Sequence, residues 1–104
     1  MQYLKKSGYC IVAKNHRTKL GEIDLIAKKN ETIVFVEVKS LVDLDGFAPE
    51  DHFDWKKQRK QILLARQYLS NFKEEINARF DLITVLKKDG DYFIEHYENV
   101  IEEA

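Results

Sequence analysis

Residues 21–39, GEIDLIAKKNETIVFVEVK, decide how this chain folds. The first part, Glu22-Ile23-Asp24-Leu25-Ile26-Ala27, alternates acid and apolar residues before Lys28-Lys29-Asn30-Glu31 supplies a hairpin turn. The second part, Thr32 to Lys39, is rich in β-branched residues, and such an apolar run predicts a central strand buried on both faces. Two adjacent antiparallel strands follow from this reading. Glu37 interrupts the apolar run Ile33 to Val38, and a carboxylate buried there is costly unless a cation or a donor meets it.

Outward from this hairpin the remaining elements fall into place. Met1 to Lys6 reads as the end of a helix closed by Ser7-Gly8, Tyr9 to Lys14 as a strand, and Asn15 to Gly21 as a polar turn. Ser40 to Asp51, with Gly46 and Pro49, reads as a loop of functional length. From about Asp54 to Phe72 the apolar positions Ile62, Ala65, Leu69 and Phe72, with Tyr68 beside them, recur at steps of three and four and predict one long helix. Arg79 to Leu86 and Tyr92 to Tyr97 are strands on either side of the Lys88-Asp89-Gly90-Asp91 turn. The predicted class is α/β, a mixed five-stranded sheet flanked by helices.

At 104 residues the chain has room for one domain, 1–104, with one modest core. Its net charge of −1 argues against a strongly basic nucleic-acid binder, so any DNA contact must come from local clusters. The one cysteine, Cys10, excludes an intrachain disulfide and a cysteine-built zinc site, and reads as a small core residue. No apolar stretch approaches the ~20 residues that cross a bilayer, and no signal peptide is visible, so the expectation is a cytoplasmic protein with no membrane partner.

The chemistry lies in the hairpin. Residues two apart on a strand share a face, so Glu22 and Asp24 are expected on one face of their strand, and Glu37 and Lys39 on one face of theirs. If the strands pair, three carboxylates and an ammonium converge. Such a cluster is self-repelling without a cation, and a hard oxygen set suits Mg²⁺ or Mn²⁺. A half-exposed strand would show the same acid–apolar alternation, with Glu22 and Asp24 merely solvated. Lys56, Lys57, Arg59, Lys60 and Arg66 on the long helix, and Asn15, His16, Arg17 and Lys19 in the polar segment, are candidate phosphate contacts, although a solvated helix face or a simple turn would look the same. Arg79 and Asp81 read as a local ion pair, Trp55 as a helix anchor, and His96 as a structural strand histidine.

The order GEIDLI at 21–26, then FVEVK at 35–39, resembles the PD-(D/E)XK, or restriction-endonuclease-like, nuclease superfamily, and more narrowly the YraN-like family, which is related in fold to archaeal Holliday-junction resolvases. Further matches are Gly8-Tyr9, Asn15 with Arg17, Lys57, Ala65 with Tyr68-Leu69, Arg79-Phe80-Asp81 and His96. The resemblance implies that Asp24 and Glu37 ligate the metal with help from the Val38 carbonyl, and that Lys39 is the motif lysine. It makes Glu22 an additional acid and brings Lys57 to the site or the DNA. Relative to the family the first helix is truncated, so its acid is missing. Leu41 stands where the family has arginine, and Gly46-Phe47 reverses its Phe-Gly.

The function these residues imply is metal-dependent hydrolysis of phosphodiester bonds in DNA, with branched or structured DNA as the substrate suggested by the resolvase relationship. By the same analogy the protein is expected to be a homodimer. The competing expectations are a nuclease-fold module of weak or no catalysis that binds nucleic acid or a repair protein, and an interaction domain in which the acids are structural.

Overall fold

The computed structural model describes residues 2–42 and 55–101. Their order is α1 (Gln2–Lys6), β1 (Cys10–Thr18), β2 (Gly21–Lys29), β3 (Thr32–Val42), α2 (Trp55–Leu69), β4 (Asn77–Lys88) and β5 (Asp91–Tyr97). The predicted loop does not begin at Ser40, because β3 goes on pairing with β4 as far as Val42, and its remainder, with Gly46 and Pro49, lies outside the described residues. So do the side chains of Trp55, Lys56 and Lys57, although all three belong to α2.

The five strands form one mixed sheet in the order β1-β2-β3-β4-β5. β1, β2 and β3 are an antiparallel meander, β3 and β4 are parallel, and β5 returns antiparallel to β4. A parallel pair needs a long crossover, and the connection that carries α2 provides it. The order of elements along the chain and the mixed α/β class are those predicted from the hairpin outward, and the structure adds the order of the strands in the sheet. The strands are longer than their hydrophobic patterns. β1 runs four residues past Lys14, because His16, Arg17 and Thr18 pair with Ile23, Glu22 and Gly21. Cross-strand pairing there holds residues that are too polar to announce a strand. Tight turns close the hairpins, with Asn30 at φ 54 between β2 and β3 and Asp89-Gly90 at φ 51 and 81 between β4 and β5. Those positive values are the backbone that Asn, Asp and Gly tolerate best.

Both faces of the sheet are packed. Beneath α2, Leu64 and Ala65 meet Ile23, Ile26, Ile33, Phe35, Phe80 and Leu82. An aromatic chain runs through this layer, from His16 to Tyr68 at 5.5 Å, Tyr68 to Phe35 at 5.8 Å and Phe35 to Phe80 at 5.4 Å. Beneath α1, Leu4 and Tyr9 meet Leu25, Ala27, Val34, Val36 and Ile83. Each fully buried aliphatic or aromatic side chain contributes about 1.5–3 kcal/mol. Ile62, Ala65, Tyr68 and Leu69 pack as their spacing predicts. Phe72 falls beyond the end of α2 and is 41% exposed. Cys10 is exposed rather than core, because it opens an edge strand covered on one side only. No helix among the described residues is long and apolar enough to cross a membrane.

Candidate metal centre

β2 and β3 pair from Lys29↔Thr32 to Leu25↔Val36, and there the ladder stops. The next residue of β2 is Asp24. Its Oδ2 accepts the Val38 N–H at 2.9 Å, so a side chain takes the place that a main-chain carbonyl would hold. A strand residue directs its N–H and C=O to the same edge, so the Val38 carbonyl also opens on this gap. Glu37 precedes Val38 and shares a face with Ile33 and Phe35 toward α2, and its Oε2 is buried. Lys39 lies two residues on, on that same face, half-buried. Asp24 and Val38 therefore meet where two strands part, and Glu37 and Lys39 flank Val38 in sequence on the face toward α2.

A local break in alternation turns Asp24 into the gap. Ile23 packs beneath α2, whereas Leu25, two residues later, packs beneath α1. On the neighbouring strand Asn15, at φ 50, sits between the pairs Lys14↔Leu25 and His16↔Ile23. The left-handed residue and the break face each other across the ladder. Strict period-two alternation, which places Glu22 and Asp24 on one face, does not hold here. Glu22 is exposed and ion-paired with Arg17 at 3.4 Å, and Arg17 is itself well exposed. Glu22, Asp24 and Glu37 do not gather into a three-carboxylate cluster. The oxygen donors at the gap or one residue from it are Asp24, the Val38 carbonyl and Glu37. These are hard donors, and they fit Mg²⁺ or Mn²⁺ better than a softer ion.

Of the basic candidates on α2, Lys60 and Arg66 are exposed, as is Arg59. Gln61 Nε2 donates to the Glu22 carbonyl at 3.4 Å and ties the helix to the start of β2.

A second polar group lies on the opposite face, under α1. Asp81 is buried, and its oxygens accept from Arg79 Nε at 3.0 Å and the Asn99 N–H at 3.0 Å. His96 Nε2 lies 2.7 Å from Asp81 Oδ2, and Tyr3 Oη 3.2 Å from His96 Nδ1. Arg79 Nη2 donates to Tyr9 Oη at 2.5 Å and to Glu98 Oε1 at 3.2 Å. Among the described residues Asp81, His96 and Glu98 are the three whose ligand atoms come within 4.8 Å of one another, a spacing that suits a metal ion. The Arg79 guanidinium already occupies the cation's place among them. We read this group as a structural network, and the predicted Arg79–Asp81 pair is its centre. Sequence patterning missed Tyr3 and Tyr9, whose membership depends on contacts across 70 to 93 residues of chain, and Glu98, which joins Arg79 from 19 residues away.

Burial works against the Arg79 cation, but the hydrogen bond and charge of Asp81, with Tyr9 and Glu98, outweigh it and hold the guanidinium above its ordinary range. Burial likewise raises the Tyr9 phenol above 10.0, aided by Asp81 and Glu98 and opposed by Arg79. A raised folded-state value favours the protonated phenol in the fold. Its contribution is therefore full below about pH 10 and is lost as pH rises through the higher folded value. Urea denaturation from pH 8 to 11.5 is expected to show Tyr9→Phe losing less stability above pH 10 than the native chain, and equal losses would contradict this.

Comparison with known proteins agrees with the pattern. The family described as "Uncharacterised protein family UPF0102" matches residues 1–85. A UPF0102 protein of Carboxydothermus hydrogenoformans is 34% identical, over 97% of this chain and 86% of its own. One from Alkaliphilus oremlandii is 42% identical, over 95% and 87%. Among solved structures the chain is similar to Pyrococcus furiosus SfsA in complex with Ca²⁺, at 13% identity and a TM-score of 0.36, covering 98% of this chain and 59% of that one. With the GEIDLI and FVEVK segments meeting at one gap in the sheet and the family matched over most of its length, the chain belongs to UPF0102, the YraN-like family of the restriction-endonuclease-like superfamily.

Proposed function

We propose that this protein is a metal-dependent DNA endonuclease whose centre is Asp24, Glu37, the Val38 carbonyl and Lys39. The observation that carries the reading is the Asp24–Val38 hydrogen bond at the parting of β2 and β3, which sets a second carboxylate beside Glu37.

Asp24 and Glu37 would hold a divalent ion, with the Val38 carbonyl as a neutral third donor. Such an ion, when bound, polarises a phosphate and lowers the pKa of a water beside it. Lys39 shares its face with Glu37, and its ammonium orients the attacking water or stabilises charge developing on the phosphate. Asp24 is held by the Val38 N–H, so its remaining oxygen is oriented before any ligand arrives. Lys60 and Arg59 on the exposed side of α2 supply positive charge for backbone contact, and a net charge of −1 makes that contact weak and salt-dependent.

The test is Mn²⁺-dependent cleavage of linear, flapped and four-way DNA. We expect metal-dependent cleavage of at least one of these. Lys39→Ala should slow it about 10²–10³-fold, the scale of one lost charge-stabilising group, while metal binding persists. Metal binding without cleavage of any substrate, together with salt-dependent DNA binding, would replace this reading with a non-catalytic DNA-binding module.

A further inference from the structure

We infer that β5 is a self-association edge, through which two copies of this chain join their sheets. The two edges of the sheet differ in kind. β1 is blunted in ways edge strands commonly use against pairing, with a register shift between Ile11 and Ala13, Asn15 at φ 50, and the cations Lys14 and Arg17. β5 carries none of these. Its pairing with β4 runs without interruption from Asp91 to Tyr97, it contains no lysine, arginine or proline, and three consecutive large residues stand exposed on it. These are Tyr92 at 65%, Phe93 at 52% and Ile94 at 41%.

The occupant that fits is β5 of a second copy, antiparallel and centred on Ile94. In that register Ile94 faces its own equivalent, Tyr92 faces the partner's His96, Phe93 faces the partner's Glu95, and Asp91 faces the partner's Tyr97. No like charges oppose each other, and the pairing is closed and two-fold, as an isologous interface requires. The two-fold axis then stands perpendicular to a ten-stranded sheet, so α2 of each copy lies on the same side.

On the reading of Asp24 and Glu37 as a metal centre, this geometry puts both centres on one face. Ile94 pairs with Val85, which pairs with Ser40, three residues beyond Glu37. Strand spacing and rise then place the two Glu37 residues about 30 Å apart. That is close to one turn of a duplex, ~34 Å, and suits cuts in two strands of one structured substrate.

The test needs neither metal nor DNA, so its failure would leave the nuclease reading standing, and failure of cleavage would leave this one standing. Sedimentation of the full chain over a concentration series should show a monomer–dimer equilibrium that Phe93→Lys shifts to monomer with an unchanged circular dichroism spectrum. Against a misfolded variant, oxidation of Ile94→Cys in a Cys10→Ser background should give a covalent dimer, because facing residues are within disulfide reach. Tyr92→Cys should not, since its own equivalent lies four pairs away. A monomer at every concentration, or equal cross-linking at 92 and 94, would overturn the proposal.

Discussion

Glu37→Ala is expected to abolish metal-dependent cleavage, with a loss of about three orders of magnitude or more. A metal's charge stabilisation is worth several kcal/mol, and each ~1.4 kcal/mol is a factor of ten in rate. The same change should remove the gain in melting temperature that saturating Mn²⁺ gives the native chain, since stabilisation by a ligand follows its affinity for the fold. The fold itself should survive, because Glu37 sits at the open end of the β2–β3 pairing and not among the buried residues of β3. Cleavage kinetics and thermal melts with and without Mn²⁺ give the result. Persistent metal stabilisation in the variant would move the site elsewhere.

The second large effect is on stability and comes from the other face. Asp81→Ala should cost about 3–5 kcal/mol, toward the lower figure because the Arg79 side chain is 25% exposed. The change strands the Asn99 N–H and one His96 nitrogen and leaves the Arg79 cation with the more exposed Glu98 as its counter-charge. For a domain of this size that corresponds to a fall in melting temperature of roughly 10 °C or more. The double variant Arg79→Met with Asp81→Leu should lose less than Asp81→Ala alone, because it leaves no unpaired charge. A double variant at least as unstable as Asp81→Ala would mean that the network contributes more than the removal of a buried charge explains. His96→Ala should weaken the fold and leave metal binding unchanged.

Much of this fold was legible in the sequence, and the reason is local. Glu22 to Lys39 carries two strands in their own composition, and Ile62, Ala65, Tyr68 and Leu69 carry α2 in their spacing. The ends of elements were less legible. Arg17 and Thr18 are held in β1 by their partners on β2, and no residue within β1 encodes that. Phe72 continues the helical spacing but lies past the end of α2. The candidate site was legible in its residues and not in its arrangement. Glu37 stood out as an acid inside an apolar run. Period-two logic then gave Glu22 and Asp24 a common face, and the break opposite Asn15 separates them, sending Glu22 to Arg17 and Asp24 to the Val38 N–H. The Asp81 network was half legible, since Arg79 and Asp81 are neighbours on one strand while Tyr3, Tyr9, His96 and Glu98 arrive from the two ends of the chain.

The proposed centre at the parting of β2 and β3 is thus to be told apart from the Asp81, His96 and Glu98 group beneath α1, where Arg79 holds the cation's place. Calorimetric titration of Mn²⁺ into the native chain, Glu37→Ala and His96→Ala separates them directly. The gap between β2 and β3 predicts saturable binding to the native chain and to His96→Ala, and none to Glu37→Ala. Binding that survives in Glu37→Ala and disappears in His96→Ala, or no binding to the native chain at all, would contradict it.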